Sequence, residues 1–268
     1  MPELPEVETV RRQLEPWLVG RTIRSARLLN GASGPKYADL VSARGGRILG
    51  VDRRGKFLLL PLSGSRELVV HLGMTGTISD GRGGGHVRVV LDLSGPPPRR
   101  LHFHDPRRFG RFLVVPAGDY SSLPTLLRMG PEPLDAAFSL EAFTEALGSR
   151  SSIKAHLLSQ RPVAGLGNIY VDEALWRARI DPRRRSVTLS RRKAAALRRA
   201  IRAVLRESIA AKGTTLLDYR TVDGETGLFR QRLNVYGHGA EPCPRCGRAI
   251  AKIQLAGRGT HLCTRCQR

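Results

Sequence analysis

Residues 47–72 read RILGVDRRGKFLLLPLSGSRELVVHL, and this stretch decides the fold class. Its apolar runs, Arg47–Val51, Phe57–Leu60 and Leu68–Leu72, are divided by Gly, Asp and Pro, with no helical pattern between them. Runs this short and this close pair as antiparallel strands, whereas a βαβ unit would need a helix in each gap. The same rhythm extends outward through Thr22–Leu29, Val87–Leu93, Leu101–His104 and Arg111–Val115. An antiparallel β-sandwich or barrel is expected from about residue 22 to 115, with turns or loops at Gly81–Gly85 and Ser94–Arg100.

On the N-terminal side, Val7, Val10, Leu14, Trp17 and Leu18 recur at helical spacing and Gly20 follows them, so residues 5–19 form a helix. Beyond Pro116 the strand pattern stops. Leu123–Met129, ended by Gly130-Pro131, is a short helix or turn, and Leu140–Leu147 is a helix. Ser152–Gln160 and Ile169–Ala178 are helices around Gly165-Leu166-Gly167-Asn168, an arrangement like a helix-turn-helix. Ser190–Lys212 is a long helix whose apolar face carries Leu197, Ile201, Val204, Leu205 and Ile209, with Gly213 as its stop. Tyr219–Phe229 reads as a mobile polar loop. The chain is therefore α+β. Its expected division is 1–117, a linker over 118–138, a helical domain over 139–232 and a small module over 233–268.

The chain has 268 residues, ample for a core, and 41% are hydrophobic, which excludes a disordered tail. Lys and Arg number 45 against 23 Asp and Glu, a net charge of +22. Such an excess points to a polyanion, most often nucleic acid. A membrane surface is the rival, but no lipidation signal or separate basic amphipathic tail is present. Nor does any apolar run approach the roughly 20 residues of a membrane span. Residues 1–20 lack a signal peptide's apolar core, so a cytoplasmic location is expected. Aromatics at 5% argue against a single-strand binder built on stacking platforms.

All four cysteines lie near the end as Cys243-x2-Cys246-x16-Cys263-x2-Cys266, which falls within the zinc-ribbon template. Four thiolates close the coordination sphere and so mark a structural Zn2+ site; two disulfides are disfavoured in a chain with no secretion signal. The N-terminus, Met1-Pro2-Glu3-Leu4-Pro5-Glu6, has two readings. Once Met1 is trimmed, Pro2 would offer a nucleophilic secondary amine beside Glu3 and Glu6; alternatively, Pro5 and the acids simply start a helix. Taken alone, this stretch favours the helix start. Lys56 is either a solvated strand-end charge or an amine held near a phosphate or a leaving group. Met74, in the turn His71-Leu72-Gly73-Met74-Thr75-Gly76, should protrude, and is either a core residue or a wedge for a base stack. His104–Gly110 is a second turn, offering two cations and an aromatic. The Gly165–Asn168 turn is equally a phosphate cradle or an ordinary connection. Arg258 would sit at the tip of a hairpin.

Together these stretches resemble the formamidopyrimidine-DNA glycosylase family over essentially the whole chain. The matching segments are PELPEVET, RRGKFLL, HLGMTG, HDPRRFG, GPEPL, GLGNIYVDE and the ribbon with AGRGTHLC. The start and the HLGM turn are more similar to the oxidised-purine branch than to the endonuclease VIII branch.

The resemblance implies an N-terminal helix and β-sandwich, a helix–two-turn–helix domain and a zinc finger, with DNA between the domains. It implies a monomeric bacterial enzyme, nucleoid-associated, acting on duplex DNA with oxidised bases or abasic sites. Pro2 would attack the sugar C1′ of a flipped nucleotide and expel 8-oxoguanine or a formamidopyrimidine; the Schiff base would then undergo β,δ-elimination. Glu3 would be the acid–base group, Lys56 would serve β-elimination and Arg258 δ-elimination. Met74, Arg107 and Phe109 would fill the vacated stack. His71, Asn168 and Arg150 would contact the backbone, and residues near Thr221–Phe229 would cover the flipped base. One position departs from the pattern: many relatives carry a DNA-contacting His where Gly84 stands. The competing reading is a zinc-ribbon protein that binds damaged DNA without cutting it. Only the enzyme requires Pro2, Glu3 and Lys56.

Overall fold

The computed structural model describes every residue except 82–84, 98, 217 and 218, so the Gly84 departure lies outside the described residues. The chain forms two compact units: Met1–Leu127 with Ala211–Leu228, and Arg128–Ala210 with Phe229–Arg268.

The first unit begins with α1 (Leu4–Leu18), which buries the expected Val7, Val10, Leu14, Trp17 and Leu18. Eight strands follow: β1 (Ile23–Leu28), β2 (Asp52–Arg54), β3 (Phe57–Leu62), β4 (Arg66–His71), β5 (Thr77–Ser79), β6 (Val87–Leu93), β7 (Arg99–His104) and β8 (Arg111–Pro116). They form two antiparallel four-stranded sheets, ordered β1-β6-β7-β5 and β2-β3-β4-β8. Alternate residues face one shared core: Leu58, Leu60 and Leu62 from β3, Val89, Leu91 and Leu93 from β6, and Phe112 and Val114 from β8. That alternation is the two-residue period of a pleated strand. A short helix, α2 (Pro124–Leu127), lies at the end of this segment.

Residues 47–51 differ from expectation, since they form isolated bridges and no continuous strand. The Ile48 N–H donates to the Arg21 carbonyl and the Leu49 N–H to Pro61. The run therefore divides its hydrogen bonds between two neighbours, and the ladder starts only at Asp52. Strand β5 is so short that it carries no readable period.

The second unit holds α3 (Leu140–Ala146), α4 (Ile153–Leu158), α5 (Asn168–Arg177) and α6 (Arg191–Ala210), then a hairpin of β9 (Ala251–Leu255) and β10 (Arg258–Leu262). Helix α5 is buried from Ile169 to Trp176, including Asp172 and Glu173. Helix α6 buries Leu197, Ile201, Val204 and Leu205, while Ile209 is half-buried. Gln160 braces the α4–α5 turn: its Oε1 accepts from the Gly165 N–H at 2.8 Å and its Nε2 donates to the Leu166 carbonyl at 2.6 Å.

Candidate functional site

Pro2, Glu3 and Glu6 are buried at the start of α1. The Glu6 carboxylate accepts from the Glu3 N–H at 2.8 Å and from the Thr214 N–H at 2.6 Å, so it ties the helix start to the 213–214 turn. Gly213 is required there, because its φ is +84° and a Cβ would lie 2.7 Å from Glu6 Oε1. Lys56 is 7% exposed, at the head of β3. Arg53 ties the residue before Lys56 to α1: its Nε donates to Glu8 at 3.0 Å and its Nη1 to the Gly55 carbonyl at 3.1 Å. Burial pushes the Glu8 carboxyl up, but hydrogen bonds from Arg12 and Arg53 and the charges of Arg53 and Arg11 outweigh it and leave it below its ordinary value.

His71 stands opposite Phe57 in the β3–β4 register, with ring centroids 4.7 Å apart. Burial, then the charges of Lys56 and Arg111, lower its pKa to about 4, so the ring is neutral near pH 7. Nδ1 accepts from the Gly73 N–H at 3.1 Å, which places the ring proton on Nε2.

Met74 is half-buried rather than fully protruding. Its turn backs onto the turn of Arg107 and Phe109: a Cβ on Gly73 would lie 2.5 Å from the Gly110 nitrogen and 2.6 Å from the Phe109 carbonyl carbon. The Arg107 guanidinium lies 4.9 Å from the Phe109 ring centroid, and that ring is 49% exposed. Asp105 is fully buried and shapes this second turn, its Oδ2 accepting from the Gly110 N–H at 2.7 Å and its carbonyl from Arg88 Nε at 3.0 Å. A cavity of about 760 Å3 opens beside Thr75, Ser79, His104, Arg107, Thr221 and Val222. The 221–225 turn that borders it is fixed to α1, where Gln13 bonds to Val222 and Asp223.

In the second unit, Asn168 begins α5 and its Nδ2 donates to the Gly259 carbonyl at 2.9 Å. Lys154, fully buried, donates to the same carbonyl and to Asp172 at 2.6 Å; the other Asp172 oxygen accepts from the His261 N–H at 2.8 Å. These bonds aim the β9–β10 hairpin, whose exposed Arg258 follows a tight turn at Ala256 (φ +50°) and Gly257 (φ +71°). Arg150 is exposed ahead of α4.

The four cysteines are unpaired by disulfides, and their sulfurs all lie within 4.8 Å of one another. Cys246 and Cys263 sulfurs are 3.5 Å apart, and Cys243 and Cys266 sulfurs 4.0 Å. A tetrahedral zinc with Zn–S near 2.3 Å sets sulfurs about 3.8 Å apart, so the cluster fits that ion.

The family models for the formamidopyrimidine-DNA glycosylase N-terminal domain and its H2TH domain match residues 1–112 and 129–220. The zinc finger found in FPG and IleRS matches residues 240–268. The chain belongs to the formamidopyrimidine-DNA glycosylase family. It is 50% identical to the formamidopyrimidine-DNA glycosylase of Thermus thermophilus, with all of this chain and 98% of the relative aligned. The Deinococcus radiodurans enzyme is 44% identical, over 100% of this chain and 97% of the relative. Among solved structures, the Fpg protein of Thermus thermophilus superposes with a TM-score of 0.93 at 50% identity, covering 99% of this chain and 98% of that one. The Lactococcus lactis Fpg in complex with abasic-site DNA gives 0.87 at 37% identity, covering 99% of each chain. Such full-length likeness makes this chain a DNA-formamidopyrimidine glycosylase with one structural zinc.

The structure thus gathers Pro2, Glu3, Lys56, His71, Met74, Arg107 and Phe109 in the first unit, and Arg150, Asn168, Arg258 and the cysteines in the second. Sequence reasoning missed Glu8, Asp105, Lys154 and Asp172. Glu8 reads only as an acid at the helix start and the others carry no local mark; the signal that identifies them, burial beside a hydrogen-bonding partner, exists only in three dimensions.

Proposed function

We propose that this enzyme uses the Pro2 amine, freed by removal of Met1, to attack C1′ of a flipped nucleotide in duplex DNA. A bond forms from nitrogen to C1′, the bond from C1′ to the damaged purine breaks, and the base departs with the electron pair and gains a proton. Glu3 moves protons at this step. The resulting Schiff base activates β- and then δ-elimination, assisted by Lys56 and Arg258, and leaves a one-nucleotide gap with phosphate ends. Met74, Arg107 and Phe109 occupy the vacated stack. His71, neutral and donating from Nε2, contacts the backbone with Arg150 and Asn168. The zinc ion holds the hairpin of Arg258 and takes no chemical part.

In this reading residues 1–117 form the catalytic segment, 118–138 the linker, 139–232 the DNA-binding segment and 233–268 the zinc finger. The protein works as a monomer in the bacterial cytoplasm, at the nucleoid. No helix among the described residues is long and apolar enough to cross a membrane.

The observation that carries this reading is the buried Pro2-Glu3 start, fixed by the Glu6 carboxylate in the same unit as a buried Lys56. Borohydride reduction in the presence of abasic-site DNA should trap a covalent complex whose mass equals the oligonucleotide plus the chain lacking Met1, less the water lost in forming the Schiff base and plus the two hydrogens of its reduction. Glu3→Gln should bind lesion DNA normally yet lose base excision. Excision by the parent with no trapped complex would overturn the Pro2 amine as the nucleophile.

A further inference from the structure

The second unit contains another cavity, of about 790 Å3, at the end of α5 remote from Asn168. Its walls carry Arg179, Arg192, Lys193, Arg245, Arg265 and Arg268 and no acidic residue. Among the described residues, none of these six side chains forms an ion pair with an Asp or Glu side chain.

Part of this charge has an internal explanation. Arg245 lies 3.9 Å from the Trp176 ring centroid and donates to the Trp176 and Arg177 carbonyls, closing the end of α5. Lys193 donates to a main-chain oxygen of Arg268, the last residue of the sequence. A zinc tetrathiolate carries two net negative charges and offsets part of the remainder. The exposed guanidiniums of Arg179, Arg192, Arg265 and Arg268 still exceed it. Arg192 and Lys193 also stand in the first turn of α6, where the helix field is already positive. Burial, then the charges of Arg184 and Arg192, lower the Lys193 pKa, so the cluster repels itself. Such an arrangement is complementary to an anion.

The cavity is separate from the groups assigned to lesion DNA. Along α5 its end lies about 15 Å from Asn168 at 1.5 Å per residue. Along β10 the zinc knuckle at Cys263 lies about 16 Å from Arg258. Side chains so far apart do not grip the same phosphate.

We propose that this cavity is a second DNA-backbone site, which holds phosphates of another duplex segment while the Asn168–Arg258 face is on a lesion. Guanidinium forks match phosphate oxygens in pairs. The walls offer no exposed ring on which a base would stack, so binding is independent of sequence. The proposal rests on the preceding section only in taking Asn168 and Arg258 as the lesion face.

The test uses the zinc-loaded full chain, first saturated with an unlabelled duplex carrying a non-cleavable abasic analogue. A labelled undamaged duplex is then titrated in at low salt. The parent should show a second, saturable and strongly salt-dependent binding event. Arg179→Gln/Arg192→Gln, which alters no residue next to a cysteine, should weaken that event at least tenfold. Its zinc content and single-turnover excision of 8-oxoguanine should stay unchanged. Absence of the second event in an excision-competent parent, or equal binding by the variant, would overturn the proposal. So would a polyglutamate peptide that displaces the labelled duplex at lower concentration than unlabelled duplex does, since that marks a docking face for acidic protein. Loss of excision in the variant would show that the cavity is not a separate site.

Discussion

Two tight turns present groups assigned to DNA, and they are held in opposite ways. The 105–110 turn, with Arg107 and Phe109, is shaped by one buried carboxylate and by the close approach of Gly73. Both supports belong to a unit with a large apolar core between two sheets. The 255–258 hairpin has only two short strands of its own. It is fixed by Lys154 and Asn168 on the Gly259 carbonyl, by Asp172 on His261, and by the cysteine cluster whose two knuckles flank it. A turn on a large core needs only local shaping, whereas a hairpin without one needs a metal and a buried ion pair.

Removing the metal should therefore separate the two most. Cys246→Ser removes one thiolate from a site whose zinc supplies on the order of 10 kcal/mol of folding free energy. Amide exchange in β9 and β10 should become fast and DNA binding should be lost, while β3 and β4 stay protected. Unchanged protection of β10 in zinc-free protein would end the contrast.

Lys154→Met should follow, costing about 3–5 kcal/mol because Asp172 is left charged in the interior. Urea unfolding gives that figure, and adding Asp172→Asn should recover part of it. No recovery would mean that Lys154 matters for packing alone.

In the first unit, Gly73→Ala meets both a φ of +67° and the 2.5 Å approach to Gly110. A loss of about 1–3 kcal/mol is expected. Excision from duplex should fall further than cleavage at an abasic site, because the stack-filling groups are displaced. Equal losses on the two substrates would make the Gly73 contact a matter of folding only.

The smallest effect lies at the hairpin tip. Ala256 holds a left-handed conformation that Asn tolerates better, so Ala256→Asn should raise the thermal midpoint, by about 0.5 kcal/mol of stability. A lower midpoint would show that the tip needs the smaller side chain.

Much of this was readable in advance. The helix face at Val7, Val10 and Leu14 and the alternation in β3 and β6 follow from one local period each, and burial on one side preserves it. The cysteine spacing works similarly, because two knuckles four residues long fix four sulfurs wherever the hairpin lies. Where the rule failed, at residues 47–51, the composition was strand-like but two partners shared the hydrogen bonds.

The sequence by itself determined the longer strands, the helices, the zinc module and the family. Those properties depend on spacing along the chain, which a sequence states directly. The tertiary structure decided which charges are buried and what they hold. Nothing near Lys154 in sequence distinguishes it from the solvated lysines and arginines. Its role appears only when folding sets Asp172 and the Gly259 carbonyl around its amine. Glu8, Asp105 and the arginines near the cysteines are alike in this respect. The energy of a charge depends on its solvent and its neighbours, and only the folded chain fixes these.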